Sequence, residues 1–472
     1  MTTPWTTRSI SWLIGLILVQ LVVAQSLGMF PRLIAIDFYQ YWAVAAAPRL
    51  SDESLGSPYV EHRTYHAVVR DWAKRAGETR LTFNGRVLGP MGFTATPFLY
   101  VIFAVFPADY TLALVLFHSL QILLFVAAVI LLGVTYRFEM FPLLCLALLL
   151  ALGSGPVNSD LRLGNLGCLQ FAALSALLYL ACRLPRSSRP AALGSLVLAG
   201  LTLVAIAKPN VALVSIAMAV HLWVARGTRF FFTASIAAAV SAAAAAVIPC
   251  LYFRSWRIWS EWYQVVFGRS SHALARPITG GNYSPSLLIA RWLHIDVWIV
   301  TAAIAAILAA STIAVIAVSA RESGRGWRAF RDALARAFGR PEVAMAIGVT
   351  MTISLPLLVW YHYYVIALIP GLWLLNASSG SRYLSLCGLA SLVLSSGLLN
   401  VLFLPLDWTD AAGGAAALSW VPLWGGVLLW LHSSRAETEP AAAGSPAPRP
   451  EGRRAGDAPP GRPRRSKSTS PA

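Results

Sequence analysis

The chain alternates long apolar runs, each about 20 residues, with short basic loops and two long polar stretches. A run of that length crosses a hydrocarbon core of ~30 Å as a helix. The runs lack the polar/apolar alternation of strands, and backbone in lipid must satisfy its own hydrogen bonds, so helices are expected. About 12 spans are predicted: 10–30, 109–134, 140–155, 165–182, 191–207, a sixth ending at Arg226, 230–251, 296–318, 342–360, a tenth running to Arg382, 383–402 and 413–431. Residues 97–106, bounded by Pro97 and Pro107, are apolar but short, which predicts a re-entrant, interfacial or tilted half-helical piece. The run from Ser9 to Phe30 has no small-residue cleavage site before Pro31 and is read as a retained first helix.

Basic loops then set the orientation. Arg8, Arg137, Arg183, Arg186, Arg189, Arg226, Arg229, Arg382 and the arginines between 321 and 340 all fall on one side if the N-terminus starts inside. Both termini are then cytoplasmic, and the stretches 31–96 and 252–295 are large extracytoplasmic loops carrying interfacial helices. The second of these holds Arg254, Arg257, Arg269, Arg276 and Arg291. Long loops cross despite such charge; alternatively, these arginines meet an anion outside.

Composition agrees with an all-α integral membrane protein. Of 472 residues, 57% are hydrophobic and 12% charged, against about 25% charged in soluble domains; mean hydropathy is +0.65. The net charge of +17 sits in short loops and the C-terminal tail. It reads as orientation at a membrane, and no nucleic-acid partner is expected. Cys145, Cys168, Cys182, Cys250 and Cys387 lie in or at the ends of apolar runs without ligand spacing, and read as small hydrophobes. The expected organisation is a transmembrane domain over 1–432 and a disordered Pro/Ala/Gly/Arg-rich cytoplasmic tail over 433–472, held near anionic lipids.

Topology sorts the polar residues by side. Asp37, the loop from Asn158 to Asn165, Lys208, the loop 252–295, His362 and Asp407 all fall at the outer face. Ionisable groups at membrane depth are costly and are usually paired or functional. Asp37 opens an aromatic stretch to Trp42, where partial desolvation would suit it as a general base; it would equally serve as the cap of a helix starting at Phe38. Lys208-Pro209-Asn210 is a tight turn or a phosphate-holding point charge. His362, among three tyrosines, is an aromatic-belt residue or a phosphate or proton partner. Gly280 to Ser286 precedes an apolar helix and is a plain cap or an anion-facing N-terminus. Trp42, Tyr59, Trp259, Trp262 and Tyr263 suit anchoring at the membrane interface. No Walker loop, dinucleotide fingerprint, HExxH or GxSxG element occurs, and no carboxylate pair has metal-ligand spacing.

Seven short segments carry a resemblance when taken together: Asp37-Phe38-x-x-Tyr41 in the first outer stretch, Ser57-Pro58-Tyr59, Thr96-Pro97-Phe98, Leu163-Gly164-Asn165-Leu166-Gly167, Ala207-Lys208-Pro209, Asn282-x-Ser284 and Tyr361-His362-Tyr363-Tyr364. They resemble the motifs of glycosyltransferase family 87, the polyprenol-phosphate-mannose-dependent mannosyltransferases and relatives, within the C-type glycosyltransferases. They stand in the family's order over about residues 10–400. The family's double proline is reduced to Pro97 and its Gly-Gln pair is altered at Gly164-Asn165, which bears on acceptor recognition.

The resemblance implies a helical bundle that takes a sugar, mannose by family default, from a polyprenyl-phosphate donor. Its acceptor would be a hydroxyl of a lipid, glycan or polymer at the extracytoplasmic face of the plasma membrane. It implies Asp37 as the catalytic base of an inverting displacement and Lys208 and His362 as site residues, with Arg291 and Arg276 joining them at the donor phosphate. Tyr41, Tyr59, Asn165, Asn282 and Tyr363 would bind substrate. No cofactor or metal is called for. The competing class is a lipid-linked sugar flippase or other multi-pass transporter, which often shows two similar halves; no internal repeat is seen.

Overall fold

The computed structural model of the chain describes residues 35–51, 55–78, 93–268, 282–322, 338–377, 381–397 and 409–433, and the single positions 20, 334 and 335. Among the described residues every regular element is helical, and the one extended pairing is an isolated bridge between Asn282 and Trp360. The basic tail, and the predicted first span apart from position 20, lie outside them.

Three helices form an aromatic assembly: α1 (Ile36–Leu50), α2 (His62–Ala76) and α3 (Pro97–Phe103). α1 buries Phe38, Tyr39, Tyr41, Trp42 and the run from Ala43 to Ala47, so it is enclosed on nearly every side. Its far end is tied down by Trp42 Nε1, which donates to the Pro107 carbonyl at 2.9 Å, and by Arg49, which donates to the carbonyls of Ala104 and Phe106. α3 begins where Thr96 caps it, accepting from Leu99 N, with Pro97 in the first turn. It stops before Pro107. The short apolar piece expected at 97–106 is therefore a single short helix.

The bundle follows as α4 (Tyr110–Tyr136), α5 (Met140–Gly153), α6 (Gly155–Leu163), α7 (Gly167–Arg183), α8 (Pro190–Ala207), α9 (Ala212–Arg226), α10 (Thr228–Tyr252), α11 (Ile258–Phe267), α12 (Pro285–Leu293), α13 (Val297–Glu322), α14 (Pro341–Ser354), α15 (Leu368–Asn376), α16 (Arg382–Ser396), α17 (Thr409–Ala417) and α18 (Trp420–Ser433). α4 packs on α7, α8 on α10, α9 on α14 and α15 on α16. Among the described residues, seven stretches are long and apolar enough to cross a membrane: Tyr110–Tyr136, Gly167–Arg186, Pro190–Ala207, Pro209–Arg226, Thr228–Tyr252, Val297–Val318 and Gly413–Ser433. α10 shows what covers them. Phe232, Ile236, Val240 and Leu251 lie on one face at helical spacing and are each more than 60% exposed, a surface suited to lipid rather than water. The chain is a helical membrane protein, and the expected number of about 12 spans is not reached among the described residues.

The departures from expectation lie where helices break. The predicted third span, 140–155, stops at Gly153, and the supposed loop from Asn158 to Asn165 is mostly the helix α6. Ser154 makes this break by accepting from Val157 N, with Pro156 in the first turn. The predicted ninth span, 342–360, ends at Ser354 because Pro356 follows. Residues 355–360 then run irregularly into a 3-10 segment, Tyr361–Ala367, that leads directly into α15. These breaks bring polar side chains and free backbone groups into the interior.

Candidate active site

Two helix ends meet at the site. Ala35 adopts a left-handed conformation (φ 47) ahead of α1, and its N–H donates to the Arg162 carbonyl of α6 at 3.0 Å. Gly164 closes α6 with φ +67, and a Cβ there would stand 2.6 Å from Phe38 Cβ. Only glycine allows both the turn and the approach. The start of α1 is thus pressed against the end of α6, so Asp37 lies beside Asn165. Asp37 lies inside the first turn of α1, whose N-cap position is Ala35, so it is not the cap of a helix starting at Phe38.

Asn165 Nδ2 donates to Asp37 Oδ2 at 2.5 Å, and Gln40 Nε2 donates to Asp37 Oδ1 at 3.3 Å. Asn165 Oδ1 in turn accepts from Lys208 Nζ and from the N–H of Leu166. These donors fix which way the amide points, because only its oxygen can accept from them. Lys208 ends α8, and three ties hold it in place. Its N–H donates to the Val204 carbonyl, Thr96 Oγ1 donates to the Ala207 carbonyl at 2.8 Å, and the amides of Gln170 and Asn210 pair across the turn. The Lys208 ammonium lies 4.8 Å from the Tyr363 ring centroid.

His362 is 2% exposed, and its Nε2 is buried with no hydrogen-bond partner among the described residues. It does not sit in a lipid-facing belt. Burial first, and Lys208 second, hold its imidazole well below the usual range, so it is neutral. Tyr41 lies one helical turn beyond Asp37; burial and then the Asp37 charge push its phenol well up, and it too is neutral.

Asp37 and Lys208 are only partly buried as residues, so both remain reachable. Burial raises the proton affinity of Asp37, while Lys208, Asn165 and Gln40 act against it in that order. Burial lowers Lys208 to about 8, against the pull of Asp160 and then Asp37. The arrangement offers a carboxylate that can take a proton, a lysine beside it, and a neutral imidazole nitrogen with no partner among the described residues.

Asp37, Asn165, Lys208, His362, Tyr363 and Tyr41, expected from sequence, therefore come together. Tyr59 and Asn282 are spent on backbone. The Tyr59 hydroxyl donates to the Ala95 carbonyl at 2.5 Å. Asn282 donates to the Leu357 carbonyl and accepts from Val359 N and Ser284 N. Asn282 pins the strand-like segment leading to His362 and Tyr363. The start of α12 is held in place likewise, since the hydroxyls of Ser284 and Ser286 donate to the carbonyls of Pro356 and Ser354. Arg291 is exposed and has no hydrogen bond or ion pair among the described residues. Arg276 lies outside them.

Asp160 escapes the reading of the sequence. It is fully buried, accepts from Gly167 N at 2.8 Å, Cys168 N at 2.7 Å and Gln121 Nε2 at 3.3 Å, and adds to the field at Lys208. One signal in the sequence marks it: no other Asp or Glu stands between Glu139 and Glu261.

A model of glycosyltransferase family 87 matches residues 93–339, more than half of the chain. The chain belongs to glycosyltransferase family 87. The matched span holds Asp160, Asn165 and Lys208, while Asp37 precedes it and His362 and Tyr363 follow it. In this family member the fold brings those outlying residues to the matched ones. No curated protein and no solved structure matches the chain.

Proposed function

We propose that this membrane glycosyltransferase moves a sugar from a polyprenyl-phosphate donor to a hydroxyl of a lipid, glycan or polymer acceptor, with Asp37 as general base. The observation that carries this is the chain of contacts Asp37–Asn165–Lys208 over Tyr363. It joins a base to a cation at a place that helix ends and loops, not spans, create. In the reaction, Asp37 takes the proton of the acceptor hydroxyl. The acceptor oxygen forms its bond to the anomeric carbon as the bond from that carbon to the phosphate oxygen breaks, with inversion. The electron pair leaves on the polyprenyl phosphate, where Lys208 and a His362 Nε2–H would meet the developing charge. One carboxylate suffices, unlike the pair used in glycoside hydrolysis.

Mannose is the sugar we propose, on the family resemblance. The lining of apolar and aromatic groups suits a lipid-borne donor. The excess of arginines on the opposite loops supports an extracytoplasmic site in the plasma membrane, with both termini cytoplasmic. The test is to offer membranes containing the protein either radiolabelled polyprenyl-phosphate mannose or labelled nucleotide-mannose. The expected result is label transfer from the lipid donor alone. Transfer from the nucleotide sugar, or movement of labelled lipid across the bilayer without transfer, would overturn the reading.

A further inference from the structure

We propose that Asp160 is a positioning residue for the transfer: its carboxylate ties the first turn of α7 to the 164–166 turn and so holds Asn165 between Asp37 and Lys208. The kinetic part of this inference rests on the transferase reading above; its structural part does not.

The N-terminus of a helix leaves backbone N–H groups without partners inside the helix. α7 begins at Gly167, and the residue before it, Leu166, provides no side-chain cap. Asp160 supplies the cap from the preceding helix, one oxygen accepting from Gly167 N and the other from Cys168 N. A negative charge is favoured at that end of the helix. The contact closes a loop, because Asn165 N donates back to the Asp160 carbonyl at 3.0 Å. Gln121, reaching across from α4, then donates to both the Asp160 carboxylate and the Asn165 carbonyl. Asn165 is therefore gripped on its N–H, on its carbonyl and on both ends of its side chain; Asp160 supplies the first of these grips and holds the Gln121 amide that supplies the second.

Space leaves no room for a substrate in this role. Asp160 is 0% exposed. A Cβ at Gly167 would stand 2.7 Å from Asp160 Oδ1 and 3.0 Å from the His362 carbonyl, so glycine is what lets the carboxylate, α7 and the histidine turn converge. Asp160 acts on the reaction only through neighbours: through Asn165 by hydrogen bonds, and through Lys208 by its charge. The groups that face Lys208 are Asp37 on α1, Asp160 on α6, Asn165 in the turn, and His362 and Tyr363 on the 3-10 segment.

The test compares wild type, Asp160→Asn and Asp160→Glu as full-length protein in nanodiscs. Asparagine keeps the size but sets an N–H₂ against one of the two backbone N–H groups, so the two-point tie and its charge are lost. Amide hydrogen exchange over residues 164–170 should then rise about tenfold or more, the scale of losing a hydrogen bond to a charged group, with the spans elsewhere unchanged. With the labelled lipid donor, kcat should fall about 100-fold, as for a misplaced catalytic group, while donor KM stays within about threefold by the same argument. The alkaline limb of kcat/KM should move to lower pH, because Lys208 loses a neighbouring negative charge; Asp160→Glu should restore that limb. Unchanged exchange at 164–170 would overturn the proposal. So would a loss of activity with an unmoved alkaline limb, which marks a structural residue only. If wild type transfers no label, the donor assignment fails, and the exchange result alone decides for or against Asp160.

Discussion

Asn165 gives its amide hydrogen to Asp37 at 2.5 Å and receives Lys208 on the oxygen of the same amide. The base and the cation are thus held apart by one polar side chain instead of closing on each other as an ion pair. A direct pair would hold Asp37 fully ionised and occupy the lysine. The bridge leaves the carboxylate basic and the lysine free for a further partner.

That bridge makes a prediction for Asn165. Asn165→Asp places a second carboxylate against Asp37, and like charge raises proton affinity. The acid limb of the kcat/KM profile should move to higher pH. Asn165→Ala should instead cut kcat by about 100-fold, as for a catalytic group that loses its orientation. A pH–rate series on both variants checks the pair of outcomes.

Lys208, lowered to about 8 by burial, loses its charge as pH rises through that value. The free enzyme should therefore lose kcat/KM above about pH 8. Lys208→Met should lower kcat by about 100- to 1,000-fold, the range seen when a transition-state donor is removed. Lys208→Arg stays charged at every accessible pH, so whatever activity it retains should lack the alkaline fall. His362 is neutral already and should add no titration near the ordinary histidine range.

Much of this site is legible in the sequence. Asp37, Lys208 and His362 each interrupt an otherwise apolar pattern, and sorting loops by charge puts them on one side before any contact is known. Asp160 is hidden in a short polar stretch that reads as a loop, because a cap seven residues from the helix it serves leaves no local pattern. The break at Pro356 is hidden too, since the apolar run continues through it and periodicity cannot see a helix end there. Asn282 and Tyr59 stand in the right segments, but sequence does not say whether a polar side chain faces a substrate or a carbonyl.

For those two residues the structure predicts stability effects. Asn282→Ala strands the Leu357 carbonyl and the Val359 N–H, which should cost about 1–3 kcal/mol and lower the thermal midpoint in detergent. Tyr59→Phe removes one bond to the Ala95 carbonyl and should cost about 1 kcal/mol with donor KM unchanged. A rise in donor KM for Tyr59→Phe would instead make it a substrate ligand.

Gly164 joins fold to site. Gly164→Ala meets both a left-handed backbone and Phe38 Cβ at 2.6 Å, so it should destabilise by more than the ~1 kcal/mol that the same change gains at compatible sites. Because the added methyl forces α1 away from α6, activity should fall further than abundance does. Transfer rate per folded molecule, from fluorescence-detected size exclusion, measures this.

The most direct measurement is transfer of label from polyprenyl-phosphate mannose by wild type and Asp37→Asn at matched abundance. Asparagine preserves shape and removes the base. The account predicts a loss of about 100- to 10,000-fold in kcat, the range for general-base catalysis, with donor binding retained. Equal rates for the two proteins would contradict it and remove Asp37 from the chemistry.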